Sequence, residues 1–471
     1  MNTDSGIEVL DPAAAGRVVG SVPRLGPEHA SVAIEAAQRG AVAWARTNLL
    51  TRGNVLQRTA QLMRDRAREL AELIVHENGK TLAEASGEVE KSAQFFEYYG
   101  GMARDPFGYL LADARPGTHA EARYEPVGTV LVITPWNDPL LTPARKLAPA
   151  LLTGNAILFK PASETPLVAL ELTRIFLDAG LPAEAISTLT GRGGEIVDPI
   201  LATTGSVNAV SFTGSTAIGL QLQRQLAGSN VRVQTEMGGK NAVVVMADAD
   251  LDLTVETVMA GAFAQSGQRC TATSRILVAE EIREELSSRL ADAVARLKVG
   301  NGLEPGTQVG PLVSQSQRES VLGFIERAEQ AGVVVRAQAE LSEDVLNAGG
   351  SYVAPTLLEG VAADSEVWVD EVFGPVVAMR SFSGLDEAIA AVNDSAYGLS
   401  SAIFTQSLSH AQAFIESVNT GQVSVNLPTS GWDIHHPFGG FKHSGSGYKE
   451  QGTETLNFYQ RVKTVAIRAN G

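Results

Sequence analysis

The spacing of apolar residues divides the chain into a helical beginning and a longer part in which strands alternate with helices. From about residue 29 to residue 96, apolar side chains recur every three or four positions, with few helix breakers before Gly79. This period is typical of amphipathic α-helices. From about residue 124 to residue 246, short runs rich in β-branched residues replace it. The pattern therefore predicts helices first and an α/β arrangement after them.

The α/β part begins with short apolar runs that predict β-strands. Segments 139–152 and 165–178 lie between such runs and have helical spacing. A strand, a helix and a strand at this spacing form a βαβ unit, so we expect a parallel sheet covered by helices on both faces. Ligands of such sheets bind beyond the carboxyl ends of the strands. The predicted strands are 128–133, 155–159, 185–189, 209–212, 231–234 and 242–245.

A second α/β block is predicted from about residue 251 to residue 438, and a last strand is predicted near the end of the chain. The terminal run 462–467 has the composition of a strand. A terminal strand without a partner would leave an exposed sheet edge, so we expect it to pair with another subunit or with a hairpin near 118–124. Further strands of the second block are 275–278, 333–335, 376–380, 401–404 and 421–425.

Length and charge narrow the class of protein. A chain of 471 residues exceeds what one hydrophobic core usually supports, which favours two large domains. The net charge of −16 argues against nucleic acid, whose binding needs a basic surface. No apolar run is long enough to span a membrane, and residues 1–6 lack the features of a secretion signal. We expect a cytoplasmic protein that binds neither nucleic acid nor membrane.

Cys270 is the only cysteine in the chain, so an internal disulfide or a thiolate metal cluster is excluded. Most free cysteines are small buried hydrophobic residues. This one follows Gly267 and Arg269, and a thiol beside a glycine and a cation is a candidate nucleophile. A cysteine hydrolase would need an imidazole base, yet none of the seven histidines lies in a segment that suggests such a pair.

Several polar segments follow predicted strands. The pair Gly214 and Gly219 alone is weak evidence, because it differs from the three-glycine dinucleotide fingerprint. In their order and spacing over nearly the whole chain, the segments together resemble the aldehyde dehydrogenase superfamily, and 267–275 resembles α-ketoglutaric and succinic semialdehyde dehydrogenases. The segments are ITPWNDP (133–139), LFKPASETP (158–166), FTGSTAIG (212–219), EMGGKN (236–241), QSGQRCTAT (265–273), EVFGP (371–375) and PFGGFK (437–442).

The resemblance implies an α/β fold of the aldehyde dehydrogenase type. It places a Rossmann-type parallel-sheet cofactor domain in residues 1–105 and 126–236 and an α/β catalytic domain in residues 237–438. A small β oligomerisation element and the C-terminal tail would comprise residues 106–125 and 439–471. The expected assembly is a homodimer or a homotetramer.

The resemblance also implies the catalytic residues. Oxidising an aldehyde to an acid needs a nucleophile, which would be Cys270, and a base that takes the thiol proton or activates water, which would be Glu236. Asn137, with the backbone N–H of Cys270, would stabilise the oxyanion of the tetrahedral intermediate. Glu450, aligned after a shift of one residue, would relay protons together with Lys146.

Cofactor contacts are carried over in the same way, and NAD or NADP is the expected cofactor. Lys160 would bind the adenosine ribose, Glu371 the nicotinamide ribose, and Phe373 would lie near the nicotinamide ring. The pyrophosphate would lie at a helix N-terminus beside Gly214 and Ser215. The other residues expected along this cleft are Thr134, Pro135, Trp136 and Gly238.

The choice between NAD and NADP depends on the loop after the second strand. Ser163 occupies the family position that often holds a ribose-binding carboxylate, and Glu164 follows it. A serine tolerates the 2′-phosphate of NADP, whereas a carboxylate repels it. We therefore expect NADP to be accepted alongside NAD, with NAD preferred if Glu164 reaches the ribose.

Arginines suggest a substrate that carries a negative charge. Arg145 lies eight residues after Asn137, about two helical turns, so both side chains can face one cleft. In similar semialdehyde dehydrogenases an arginine here holds the far carboxylate, for which its planar fork is suited. Arg269 would be a second anion contact or would lower the thiol pKa. Ala264 departs from a pattern in which many such enzymes carry an arginine six residues before the nucleophile.

The sequence therefore predicts an NAD(P)-dependent aldehyde dehydrogenase acting on a small anionic or polar aldehyde of the semialdehyde type. Lactaldehyde, sulfolactaldehyde and aromatic aldehydes stay open as substrates of the same mechanism. A CoA-acylating dehydrogenase is the nearest rival, although such enzymes generally lack the base at Glu236. A non-catalytic scaffold protein and a cofactor-independent hydrolase are the remaining alternatives. No metal site is predicted, and Asp138, His435 and His436 have no assigned role.

Overall fold

The computed structural model describes residues 6–105 and 107–468, and the helices predicted at the start of the chain are four, separated by short turns. The last of them begins with a capping box, in which Thr81 and Glu84 each accept a hydrogen bond from the other's backbone N–H. The α-helices of the described residues are α1 Pro27–Arg46, α2 Leu49–Asp65, α3 Ala67–Asn78, α4 Leu82–Gly101, α5 Leu141–Leu152, α6 Pro166–Asp178, α7 Gly193–Ala202, α8 Thr216–Leu226, α9 Leu251–Phe263, α10 Arg283–Ala295, α11 Gln315–Gln330, α12 Glu343–Ala348, α13 Glu366–Val369, α14 Leu385–Asn393, α15 Leu408–Ser417 and α16 Leu456–Tyr459.

The strands form five sheets within the described residues, of which two are large. The strands are β1 Gly6–Leu10, β2 Val18–Pro23, β3 Gly108–Leu111, β4 Thr118–Pro126, β5 Thr129–Ile133, β6 Ala156–Lys160, β7 Ile186–Thr188, β8 Ala209–Thr213, β9 Arg232–Glu236, β10 Asn241–Val245, β11 Thr273–Ala279, β12 Val334–Gln338, β13 Thr356–Glu359, β14 Val376–Phe382, β15 Tyr397–Gly398, β16 Ser400–Phe404, β17 Gln422–Val425, β18 Phe441–Lys442 and β19 Gln460–Arg468.

The first large sheet has five parallel strands in the order β7-β6-β5-β8-β9. Helices α2 to α6 share one apolar core with this sheet, in which Phe96 and Phe176 meet edge to face with ring centroids 5.3 Å apart. Residues of α1, α7 and α8 pack on the other face. Both faces of the sheet are therefore covered, as a parallel sheet requires.

The second large sheet has seven strands in the order β12-β13-β14-β11-β10-β16-β17, and β12 alone runs antiparallel to its neighbour. Along β10, Ala242 and Val244 face one apolar cluster and Val243 and Val245 face another. This strand follows β9 directly in the sequence, yet it pairs with β11 and β16 in the second sheet.

The end of the chain returns to the middle of the molecule. Strand β19 pairs with β4 over nine residues, from Gln460 opposite Pro126 to Arg468 opposite Thr118, and β3 covers the other side of β4. The predicted pairing of the terminal strand with a hairpin near residue 120 is therefore confirmed. The predicted run 462–467 lies within this strand.

The α/β fold predicted from the sequence is confirmed, and the division into three parts stays a prediction. No pattern in the sequence predicted the N-terminal hairpin β1–β2, strand β13 or the two-residue pair β15–β18. Each of these strands is short or depends on a distant partner. In the described part of the chain, no helix is both long enough and apolar enough to cross a membrane.

Candidate active site

A cavity of about 730 Å³ lies where β5, β8 and β9 end, at the edge of the sheet at which ligands were expected. Most of the predicted site residues line this one cavity, although they come from segments far apart in the sequence. They are Thr134, Pro135, Trp136, Asn137, Arg145, Gly214, Ser215, Glu236, Gly238, Arg269, Cys270, Glu371 and Phe373. The structure therefore brings together the nucleophile, the base and the oxyanion donor that the sequence predicts.

The loop that carries Cys270 is held from behind. Asn241 donates its side-chain amide to the carbonyl oxygens of Cys270 (2.8 Å) and Ala272 (2.9 Å), and its Oδ1 accepts the N–H of Ser400 (3.0 Å). In front of the cysteine, Gln265 and Ser266 have positive φ angles of 52° and 57°. Non-glycine residues seldom adopt this left-handed conformation, so the surrounding contacts must hold it.

Burial raises the pKa of the Cys270 thiol to about 12, although the residue keeps some exposure through the cavity. Among the charges that act on the thiol, Arg145 lowers the pKa, while the carboxylates Asp138, Glu371 and Glu236 raise it. Burial outweighs the cations, of which Arg145 acts most on the thiol, and the effect of Arg269 on the thiol pKa stays a prediction. The thiol must lose its proton to a neighbouring base before it reacts.

Asn137 lies at the end of β5 with its side chain almost fully buried. Its Nδ2 donates to the carbonyl oxygen of Gln268 at 3.0 Å, and its own carbonyl oxygen accepts from Lys80 Nζ at 2.8 Å. A side-chain amide has two N–H donors, so the bond to Gln268 orients the group and leaves one donor for a ligand. Asn137 thus joins the β5 loop to the loop of the cysteine.

Glu236 is the last residue of β9, opposite Thr213 of β8, and it is 3% exposed. Neither of its carboxylate oxygens has a hydrogen-bond partner. Burial, followed by repulsion from Glu450, holds the pKa of Glu236 well above its usual range, against the opposing effect of Lys146. A buried carboxyl group with a raised pKa and no hydrogen-bond partner is well placed to accept a proton.

Glu450 and Lys146 form a buried ion pair behind the cavity, so the structure brings together the two residues predicted to relay protons. Glu450 is placed by a backbone bridge to Phe438, with two hydrogen bonds of 2.7 Å. Burial lowers the pKa of Lys146, although Glu450 opposes this shift. Lys146 also donates to Ser211 Oγ at 3.0 Å, which fixes the direction of its side chain.

The end of the cavity beyond Cys270 has the features of a nucleotide site. Gly214 and Ser215 precede the first turn of α8, whose N-terminus therefore points at the cavity. A Cβ atom at Gly238 would lie 2.2 Å from Glu371 Oε2, so a larger residue here would displace this carboxylate. Burial raises the pKa of Glu371 to about 7, and Phe373 meets Trp136 edge to face with ring centroids 5.3 Å apart.

Lys160, Ser163 and Glu164 do not line the cavity. Lys160 is the last residue of β6, and Ser163 and Glu164 follow it at the same edge of the sheet. Lys160 is buried, with its ammonium bonded to the carbonyl of Pro161. Burial lowers the pKa of Lys160 to about 8. Ser163 Oγ donates to the carbonyl of Gly191 at 3.0 Å, and Glu164 is exposed.

The cations of the cavity differ in how they are paired. Arg145 lies 3.6 Å from Glu450 and 4.5 Å from the ring centre of Phe438, so its charge is already engaged. Arg269 and Lys91 also line the cavity, and no carboxylate of the described residues lies within 4 Å of either. Lys91 Nζ donates to the carbonyl of Trp432 at 2.6 Å. Sequence reasoning missed Lys91, because a lysine in an amphipathic helix resembles any solvated surface charge.

Other residues near the cavity were also missed or left open. Lys80, Glu88 and Asn241 hold the loops of the site, and Lys80 and Glu88 are charged groups that few sequences bury. Asp138, which had no assigned role, lines the cavity and pairs with Lys80. His435 and His436 meet edge to face with ring centroids 4.4 Å apart, and no group of three potential metal ligands occurs in the described residues.

Comparison with known proteins identifies the family. The model of the aldehyde dehydrogenase family matches residues 1–465. The α-ketoglutaric semialdehyde dehydrogenase of Bacillus subtilis is 36% identical over 462 residues, which cover 98% of this chain and 94% of that protein. The α-ketoglutarate semialdehyde dehydrogenase of Haloferax volcanii is 38% identical over 97% of this chain and 95% of its own length. The glutarate-semialdehyde dehydrogenase of Pseudomonas putida is 36% identical over 99% and 96%.

Solved structures agree with the family match. The betaine aldehyde dehydrogenase of Staphylococcus aureus, in complex with NAD+, superposes with a TM-score of 0.95 at 31% identity and covers 100% of this chain and 93% of its own. An NADP-dependent enzyme of Escherichia coli superposes with a TM-score of 0.94 at 33% identity, covering 99% and 96%. The chain belongs to the aldehyde dehydrogenase family and is an oxidoreductase that acts on aldehydes.

Proposed function

We propose that this enzyme oxidises a small anionic or polar aldehyde of the semialdehyde type to the carboxylic acid, with NAD(P) as the electron acceptor and a thioester on Cys270 as the intermediate. The observation that carries the proposal is that Cys270, Asn137 and Glu236 line one cavity while both oxygens of Glu236 are free of hydrogen bonds. These three groups can supply a nucleophile, an oxyanion donor and a base to one bound carbonyl group.

The first half of the reaction belongs to Cys270 and Asn137. The cysteine sulfur forms a bond to the aldehyde carbon, the thiol proton passes to Glu236, and the carbonyl oxygen takes negative charge. The free N–H of the Asn137 side chain stabilises that oxygen. When bound, the nicotinamide accepts the hydride that leaves the tetrahedral carbon, and this two-electron oxidation produces the thioester.

The second half belongs to Glu236. It takes a proton from a water molecule, whose oxygen attacks the thioester carbon, and the C–S bond breaks to release the acid and the thiol. The raised pKa of Glu236 suits this role, because a base works best with a pKa near the working pH. The buried pair of Glu450 and Lys146 is proposed to pass the released protons away from Glu236.

The residues of the cavity fit a dinucleotide. The N-terminus of α8, beside Gly214 and Ser215, offers backbone N–H groups and a positive dipole end to the pyrophosphate. Glu371 offers a carboxylate to the nicotinamide ribose, and Gly238 leaves space beside it. Lys160 is proposed to bind the adenosine ribose. Because Ser163 carries no charge, NADP and NAD are both proposed to bind.

The charge of the cavity supports an anionic substrate. Arg269 and Lys91 are cations without a carboxylate partner, and a substrate carboxylate would supply it. Arg145, which the sequence favoured, already has a carboxylate neighbour in Glu450, so its proposed role is to shape the wall beside Phe438. Two of the relatives described above carry the name of an α-ketoglutarate-derived semialdehyde dehydrogenase, whose substrate has such a carboxylate. A cytoplasmic location and a homodimer or homotetramer are also proposed.

Glu236→Gln tests the proposal directly. The variant should release the first equivalent of NAD(P)H per site more slowly than wild type, because the thiol has lost the base that takes its proton. It should then turn over about 100- to 1,000-fold more slowly than wild type, because hydrolysis of the thioester has lost the same base. Pre-steady-state absorbance at 340 nm, with NAD or NADP and α-ketoglutaric or succinic semialdehyde, measures both phases. Glu416→Gln, an exposed acid away from the cavity, is the matched control.

Each rival predicts a different trace. Cys270→Ala must abolish the burst, and a variant that still reduces NAD(P) at the wild-type rate would refute the thioester. If the steady-state rate depends on added CoA and not on Glu236, the enzyme acylates CoA. Turnover without nucleotide would indicate a hydrolase, and preference for propanal or benzaldehyde would refute the anionic substrate while keeping the reaction class.

A further inference from the structure

A buried cluster of charges lies directly behind the β5 loop. Lys80 and Glu88 have side chains that are 1% exposed, and Lys80 Nζ lies 2.5 Å from Glu88 Oε2. The same ammonium lies 3.3 Å from Asp138 Oδ1 and donates to the carbonyl of Asn137 at 2.8 Å. Lys80 therefore faces two carboxylates, of which Glu88 is buried and Asp138 keeps 17% of its side chain exposed.

Asp138 is the group that reaches the cysteine loop. Its Oδ1 also accepts Nε2 of Gln265 at 3.0 Å, and the backbone N–H of Gln265 donates to Glu84 Oε1 at 2.6 Å. Gln265 begins the left-handed stretch that leads to Cys270. The other oxygen of Glu88 accepts the N–H groups of Leu140 and Leu141 at 2.8 and 3.0 Å, at the start of α5.

We propose that Asp138 is a positioning residue that sets the distance between the oxyanion donor and the nucleophile. Through Lys80 it is tied to the backbone of Asn137, and through Gln265 it is tied to the loop of Cys270. The inference rests on the proposed roles of Asn137 and Cys270.

The physical reason is the conformation of Gln265. A left-handed backbone at a non-glycine residue is unfavourable and persists only where contacts over-determine it. Two acidic groups, Asp138 and Glu84, accept its side-chain and backbone N–H groups. Without Asp138 the side chain of Gln265 has no bonded partner, since its Oε1 is already buried and unpaired. The cysteine loop would then be free to relax away from Asn137.

Charge gives the proposal a second readout that a merely structural role would not change. The carboxylates that act on the Cys270 thiol are Asp138, Glu371 and Glu236, and Arg145 opposes them. Lys80 and Arg269 act in turn on Asp138. An asparagine keeps the acceptor oxygen for Gln265 and Lys80 but removes the negative charge. Asp138→Asn should therefore lower the pKa of the thiol without moving the loop.

The test compares Asp138→Asn, Asp138→Leu, Gln265→Met and the double variant Asp138→Leu/Gln265→Met, with Asp386→Asn, an exposed acid outside the cavity lining, as control. Three quantities are measured in the full-length enzyme: the NAD(P)H burst rate, KM for the aldehyde, and the iodoacetamide reaction of Cys270 as a function of pH. Asp138→Leu should slow the burst about 100-fold with KM changed less than about threefold, because a displacement near 1 Å costs about that much. Gln265→Met should show a similar loss, and the double variant should lose no more than Asp138→Leu, because one bond joins the two residues.

Asp138→Asn should keep a burst within about threefold of wild type, since its acceptor is intact, and its alkylation profile should shift to lower pH. The proposal is overturned if Asp138→Leu bursts at the wild-type rate, if the two single losses multiply in the double variant, or if Asp138→Asn leaves the alkylation profile unchanged. If Asp138→Leu does not fold, Gln265→Met and Asp138→Asn still test the proposed role of Asp138. A wild-type enzyme without a Cys270-dependent burst would refute the proposed function, whereas the alkylation profile would still test Asp138.

Discussion

The two ends of the cleft are built differently. Around Cys270, charged side chains are buried and bonded before any ligand arrives, as in the pairs Lys80 with Glu88 and Lys146 with Glu450. In the loop after β6 at the other end, residues 161–165 form no ion pair with the described residues. There Ser163 makes one hydrogen bond to Gly191, and the carboxylate of Glu164 is exposed.

This contrast indicates that residues around Cys270 control the rate of the reaction, whereas residues after β6 control which cofactor binds. Buried, bonded groups cannot reorient in step with the reaction, so they present fixed dipoles to the transition state. Exposed groups at the edge of a nucleotide site change affinity by small amounts, because water screens their charge. Substitutions around Cys270 are therefore expected to affect rate strongly, and substitutions after β6 are expected to affect cofactor preference modestly.

The sharpest test of this contrast is Asn137→Ala. The variant should lower kcat by about 100- to 1,000-fold, because one oxyanion donor contributes about 2.7–4 kcal/mol to the transition state. KM for the aldehyde should change little, since the ground-state carbonyl gains less from the donor. Steady-state kinetics at 340 nm measure both, and Asn457→Ala on the exposed side of the molecule is the control. A loss below tenfold would contradict the view that this end is preorganised.

Removing the unpaired cations should give a smaller, substrate-dependent effect. Arg269→Met and Lys91→Met should each raise KM for α-ketoglutaric semialdehyde by about 10- to 100-fold, because a hydrogen bond to a charged group contributes about 1.5–3 kcal/mol. KM for propanal should stay within about twofold. Arg145→Met serves as the comparison variant, because the charge of Arg145 already has a carboxylate neighbour in Glu450. If KM rises equally for propanal and for the semialdehyde, these residues do not bind the carboxylate.

The smallest effect is expected after β6. Ser163→Asp should raise KM for NADP about fivefold and leave KM for NAD nearly unchanged, because one charge near a 2′-phosphate in water contributes about 1 kcal/mol. Ser163→Asn, of similar size and without charge, is the control. The ratio of the two KM values is measured at low and at physiological salt. If the change in this KM ratio is the same at physiological salt as at low salt, shape rather than charge selects the cofactor at this loop.

Much of the fold was predictable because it depends on local pattern. Short apolar runs placed β5, β6 and β8 within a residue or two, and the turn that contains Gly214 indicated the start of α8. The family motifs predicted which residues share the cavity, and the structure places Cys270, Asn137 and Glu236 together in it. These features are encoded within short segments, each of which can be interpreted alone.

The parts that could not be predicted depend on packing between distant segments. Nothing near Lys80 or Glu88 in the sequence indicates that both are buried, since their burial requires α4 to lie against the β5 loop. Strand β10 is indistinguishable from its predecessors until its partners β11 and β16 are known. The cation that acts most on the thiol is Arg145 rather than its neighbour Arg269, because distance in space and not in sequence decides the field.

Gly439 shows how tightly the tail of the chain is fitted to the base. Its φ of +146° is strained for any other residue, and a Cβ atom there would lie 2.4 Å from Glu236 Oε1. In a saturation-mutagenesis library selected for growth on the aldehyde, position 439 should tolerate no replacement, although it contributes no chemical group. Glycine is needed here because the space beside Glu236 must stay empty. Selection should therefore conserve Gly439 as strictly as it conserves the nucleophile.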